Sequence, residues 1–181
     1  MGIIRKTNPK GLDKIIDRIQ VKLNTKLNLG VWENNHRAYK NPKPNKERGF
    51  IAELYTENGN YRECYYDDNF DAVSFFIASE NSEVIENKII SQQFSLIFHV
   101  DLDAIYPMIT HRADEELRMQ VVHVLNSLGK SFVSIESIES GIQNVYKEFE
   151  VQNIKYDDMS NIHCVRFNLK TNYVVDCCIN C

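Results

Sequence analysis

The chain has little glycine and little proline, seven and four residues in 181, and it carries neither an internal repeat nor a low-complexity tract. No stretch approaches the roughly 20 apolar residues that a membrane helix needs, so no membrane partner is expected. Cations are not in excess. The formal net charge is -4, which argues against a general nucleic-acid binder, a class that is usually basic. The five cysteines are an odd number, and Cys177, Cys178 and Cys181 crowd the last five residues. That is not the evenly spaced framework of a small secreted domain, and folding in a reducing cytosol is expected. Residues 1–6 hold no long apolar run and no small-residue cleavage site, so no secretory signal is read there. Lys6 stands where a myristoylation pattern needs Ser or Thr. Also missing are a Gly-x-Ser-x-Gly elbow, a phosphate loop and a His-Glu-x-x-His pair. With no nucleophile in a recognisable context, Cys64 and Ser74 are not promoted to catalysis, and neither an enzyme nor a cofactor is expected.

What is present suits one folded domain spanning residues 1–181. The apolar fraction is 43% and the charged fraction 25%, ordinary for a globular chain of this length. Leu12, Ile15, Ile16, Ile19 and Leu23 form one apolar stripe and predict a helix over 12–27, with Gly30 as its stop. Residues 33–48 are polar, basic and interrupted by Pro42 and Pro44, and read as an exposed loop. Two β-prone runs, 50–55 and 61–66, flank Asn58-Gly59 and predict a hairpin. Strands are expected at 73–78 and 94–102, with 79–93 between them as either a long hairpin arm or a projecting loop. Leu117, Val121, Val124, Leu125 and Leu128 mark a second helix over 113–128, with Gly129 after its end. A third helix is expected near 138–149, then a closing hairpin of strands 162–169 and 173–179 around a turn at 170–172. Adjacent strands with tight turns imply an α+β fold, a mainly antiparallel sheet with an N-terminal amphipathic helix and one or two further helices packed on it.

Three groups of residues could carry chemistry. Asp101-Leu102-Asp103 follows a hydrophobic strand and looks like the first metal-binding strand of Y-family DNA polymerases. Paired carboxylates at a strand end are what two-metal phosphoryl transfer needs. Ser134-Ile135-Glu136 echoes that family's second motif but comes too soon and lacks its acidic pair. Solvated aspartates at a strand end are therefore the preferred reading, and a metal-dependent nuclease or nucleotidyl-transfer enzyme using Asp101 and Asp103 is the alternative. His163, Cys164, Cys177, Cys178 and Cys181 hold one C-x-x-C. Strand neighbours point to opposite faces, so His163 and Cys164 do not both ligate easily, and no metal site is assigned. The third group is the basic segment with Arg37, Tyr39, Lys40, Lys43, Lys46 and Arg48, the candidate binding residues. Its cations could meet DNA phosphates or an acidic partner surface.

The order of these elements resembles the tail-terminator and tail-completion proteins of tailed bacteriophages, the connector rings of the head-to-tail junction. In that family an N-terminal amphipathic helix precedes an antiparallel sheet, a helix follows the central strands, and a closing strand returns. Here 12–27 would be the first helix, 94–102 a central strand, and 113–128 the helix laid across the sheet. The Asn, Lys and Ile bias suits a phage of an AT-rich host, such as one infecting Bacteroidetes. The resemblance implies a non-catalytic virion protein, assembled in the host cytoplasm into a homo-oligomeric ring. Its partners would be neighbouring connector or tail proteins, and DNA would pass through its channel without sequence-specific binding. Segments 34–48 and 79–93 would be its contact arms. A small cytosolic adaptor domain is the reading that needs no ring.

Overall fold

The structure is a computed structural model that describes residues 3–27, 32–42, 50–63, 71–86, 88–147 and 162–175, without the side chains of 41, 42, 50–52 and 63. The elements run β1 (Ile3–Ile4), α1 (Leu12–Lys26), β2 (Trp32–Asn35), β3 (Ala38–Pro42), β4 (Phe50–Glu57), β5 (Asn60–Glu63), β6 (Ala72–Ile85) and β7 (Ile89–Asp101). The short α2 (Leu102–Ile105), α3 (Asp114–Asn126), β8 (Ser134–Ser140), the short α4 (Ile142–Val145) and β9 (Ile162–Val174) follow. The nine strands form one sheet in the order β5-β4-β3-β6-β7-β9-β8, with β2 also against β6 and β1 against β2. Pairing is antiparallel except for β1 with β2, and β2 and β3 with β6. The α+β class is as the sequence implies.

Alternation on the three long central strands sends one set of side chains to each face of the sheet. Phe76, Phe94, Leu96, Phe98, Val100, Val165, Phe167 and Leu169 form the main core with α1 and α3. Ile16, Ile19 and Leu23 of α1 are fully buried there, as the stripe requires, and α1 packs against α3. On the opposite face Val73, Phe75, Ile77, Ile97 and Cys164 pack with Ala38, Leu54, Val145 and Tyr146. The β4–β5 turn is the expected Asn-Gly hairpin, with Asn58 at φ 51° and Gly59 at φ 78°. Those two positive values match the twist of the flanking strands.

Several expectations are corrected. Within the expected loop at 33–48, residues 33–35 belong to strand β2 and 38–42 are strand β3, and Glu33, Asn34, Asn35 and His36 are buried. Their polarity is compatible with the interior because each has a partner. The Gln20 amide donates to the Ile4 and Asn34 carbonyls, Asn34 donates to the Gln20 carbonyl, and Ser74 donates to Asn34. Pro42 closes β3, and 43–49 lie outside the described residues. The third helix is reduced to Ile142–Val145, and Ser134–Ser140 is strand β8. A bulge between Ile135 and Ser137 puts Ile135 opposite Leu169 and Ile138 opposite Phe167, so both isoleucines face the helices at a three-residue spacing. No turn interrupts 170–172. Strand β9 runs unbroken to Val174, paired with β7 back to Ile89, and Thr171 donates to the Phe132 carbonyl. Of the expected strand at 173–179, residues 173–174 are the end of β9, and 176–179 lie outside the described residues. Of 79–93, the described residues form a long hairpin arm, with Ser82–Ile85 paired to Ile89–Gln92.

Candidate functional site

Of the six candidate binding residues, Arg37, Tyr39 and Lys40 are described, and Lys43, Lys46 and Arg48 lie outside the described residues. Arg37 does not stand free. It donates to Asp13 Oδ1 at 2.8 Å, and Lys6 donates to the other oxygen at 2.6 Å. Burial would raise the Asp13 carboxyl, but these two cations win and hold it below the usual carboxylate range. The Arg37 guanidinium also lies 4.6 Å from the Tyr39 ring centroid, and Tyr39 meets Tyr61 edge-on at 5.7 Å. Lys40 projects elsewhere and donates to Glu80 at 3.3 Å. Arg37, stacked on Tyr39, therefore fastens the start of β3 to the first turn of α1, and no local pattern in the chain signals that Asp13 neutralises this arginine.

Asp101 ends β7 and caps α2. Its Oδ1 accepts from the backbone N–H groups of Asp103 and Ala104, at 3.0 and 3.1 Å. This is N-cap geometry, and it gives the carboxylate a structural role. Asp103 sits in the first turn of α2 and is exposed. Among the described residues no group of three His, Cys, Asp or Glu side chains converges at metal-ligand spacing.

His163 and Cys164 point to opposite faces, as strand alternation demands. On one face Cys164 Sγ lies 3.3 Å from His99 Nδ1, and the Tyr146 hydroxyl lies 2.8 Å from the same nitrogen. Burial pushes His99 down to about 4 and the Cys164 thiol up to about 12. At neutral pH this is a thiol beside a neutral imidazole, not the thiolate that nucleophilic chemistry uses. On the other face His163 is 4% exposed, and its Nδ1 is 3.7 Å from Asp114 Oδ1. Arg112 and Arg118 join it around a cleft of about 240 Å³ at the start of α3. Both guanidiniums are already engaged, Arg112 with Asp114 and Arg118 with Glu115 and Ser140. The remaining three candidates of this cluster, Cys177, Cys178 and Cys181, lie outside the described residues.

A second cleft, of about 320 Å³, opens on the face away from α1 and α3. Arg166, 4% exposed, donates to Ser95 at 3.0 Å and to Asn168 at 2.9 Å. Asn168 in turn donates to Ser137 and Glu139, and Lys147 donates to Glu139. This network ties β7, β8, β9 and the end of α4 together.

Among the described residues the arm is a further unpartnered feature. Past Ile77 no other strand among the described residues pairs with the outer edge of β6, and past Lys170 none pairs with that of β9. The β6 and β7 ends continue as a hairpin through Ile85↔Ile89, and β9 adds a third strand through Val174. Gln92 fastens the base of the arm by donating to the Ser79 and Asn81 carbonyls across the β6 irregularity. Apolar side chains surface at the tip, with Val84 64% and Val174 60% exposed. The β-branched pairs 84–85 and 89–90 around a polar turn were the sequence signal for this hairpin.

Neither a protein-family model, nor a curated protein sequence, nor a solved structure matches this chain.

Proposed function

We propose that this chain is a non-catalytic assembly subunit that packs side by side into a closed ring, in the manner of a phage tail-terminator or head-to-tail connector. The observation that carries the reading is the three-stranded arm at Ser82–Ile85, Ile89–Gln92 and Thr171–Val174, whose outer edges are unpaired among the described residues and whose tip exposes Val84 and Val174. A long, bare strand edge with apolar side chains is an association surface or an aggregation liability unless it is covered. A neighbouring subunit in a ring covers it repeatedly and leaves no growing end. The side chains at the alternative site support the same direction, because Asp101 is engaged in capping α2. Light scattering coupled to size exclusion over a concentration range tests the proposal. One discrete mass of six or twelve subunits, constant on dilution, is the expected result. A monomer at every concentration would point to the small adaptor domain. A robust Mg²⁺-dependent nuclease activity lost in an Asp101→Ala/Asp103→Ala variant would replace the ring reading with the enzymatic one.

A further inference from the structure

We infer that the arm of one copy docks along α1 of the next, with the acidic outer edge and tip of β6 lying against a row of cations on the helix. The inference rests on the ring reading and names the two surfaces that meet. On α1, Lys14, Arg18, Lys22 and Lys26 recur every four residues, with Lys10 just ahead of the helix. At 1.5 Å per residue the stretch from Arg18 to Lys26 is about 12 Å long. Like charges at this spacing work against helix stability, so the row carries a local penalty. The acids of the same helix do not offset it, since Asp13 is held by Lys6 and Arg37, and Asp17 by Arg5 at 2.6 Å. Among the described residues no carboxylate pairs with Arg18, Lys22 or Lys26. Arg18 instead lies 4.5 Å over the Phe132 ring.

The arm offers the complement. Glu83 and Glu86 are exposed at its end and pair with no described cation, and Glu80 stands further back, 73% exposed at its side chain, in contact with Lys40. At about 3.3 Å per residue, Glu83 in β6 and Glu86 in the turn after it lie within about 10 Å of each other along the chain, a span the cations of α1 can cover. Because the two surfaces differ, the contact is heterologous, the kind that closes into a ring when the rotation between copies allows.

Charge reversal on each side, in the full-length chain, tests the contact. Glu83→Lys/Glu86→Lys and Lys22→Glu/Lys26→Glu change exposed or half-exposed side chains, and thermal melts of each variant report whether the fold is kept. Each double variant is expected to weaken association roughly tenfold or more, as opposed charges become like ones. The four-site swap should restore it, because the pairing is re-formed with its signs exchanged. Association of the parent chain should also fall between low salt and 0.5 M NaCl. A ring whose mass ignores both reversals would overturn this contact while leaving the ring itself standing. A parent chain that stays monomeric would remove both. Binding of duplex DNA lost only in Lys22→Glu/Lys26→Glu, with arm reversals silent, would reassign the row to phosphates.

Discussion

Asp13 should be the most consequential single carboxylate in the fold, and its removal gives a measurable loss. It is 6% exposed in the first turn of α1 and receives two charge-assisted hydrogen bonds, from Lys6 at 2.6 Å and Arg37 at 2.8 Å. Such bonds contribute about 1.5–3 kcal/mol each when well shielded. The partners are not fully shielded, with side-chain exposures of 36% for Lys6 and 18% for Arg37, so the sum is discounted by about half. Asp13→Ala is therefore expected to cost about 3 kcal/mol, including the carboxylate's favourable place at the helix N-terminus. In a domain of this size that corresponds to roughly 6–12 °C in Tm. Urea unfolding at pH 7 with a constant m-value is the direct measurement. The pH dependence follows from the lowered folded-state pKa. Below its unfolded value the carboxyl takes up a proton first in the unfolded chain, so the contribution is complete above about pH 4 and is lost as pH falls through the lower folded value. A loss under about 0.5 kcal/mol in Asp13→Ala would refute the reasoning and return Arg37 to the pool of available cations.

Two further outcomes follow from the same geometry. His99 is held neutral, its pKa pushed down to about 4 by burial, while an unfolded histidine titrates near 6.5. Between those values the unfolded state binds the extra proton, so stability should rise with pH across roughly 4 to 6.5 by up to about 1.4 kcal/mol per unit. A His99→Gln variant should flatten that slope in pH-dependent urea melts, and an unchanged slope would assign it elsewhere. At the end of β7, Asp101→Ala should cost about 1 kcal/mol through the lost cap, while Asp101→Asn should cost only tenths, because asparagine caps equally well. Thermal melts in EDTA and in Mg²⁺ should rank the two variants identically. A magnesium-dependent stabilisation present in the parent and absent in Asp101→Asn would assign the carboxylate to a metal.

How much was legible depended on whether a segment's burial is carried by apolar side chains. The α1 and α3 stripes put Ile16, Ile19, Leu117 and Val121 at a helical spacing with no competing period, and the boundaries agree within two residues. The Asn58-Gly59 turn was equally plain, since few other pairs accept positive φ twice. Strand β8 failed because its bulge at Glu136 shifts Ile138 onto the face of Ile135 and imitates the spacing of a helix. Strand β2 failed for a different reason. Trp32-Glu33-Asn34-Asn35 has almost no hydrophobic content, yet all four residues are buried, because hydrogen bonds from Gln20, Ser74 and Arg62 replace water there.

The same reason explains the uneven reading of the candidate sites. Counting cations in 37–48 treated them as one surface, whereas β3 alternates, turning Arg37 and Tyr39 toward Asp13 and Lys40 toward Glu80. Strand alternation separates His163 from Cys164, and in β3 it separates Tyr39 from Lys40 in the same way, but the low apolar content of 33–42 hides that strand. Conversely, the cations of α1 recur at a four-residue spacing that is legible in the sequence, and helical geometry makes such residues neighbours along the helix. A charge becomes a surface feature only when no internal partner claims it. On that criterion Lys22 and Lys26 of α1 and the acidic end of β6 outrank the segment whose composition first stood out.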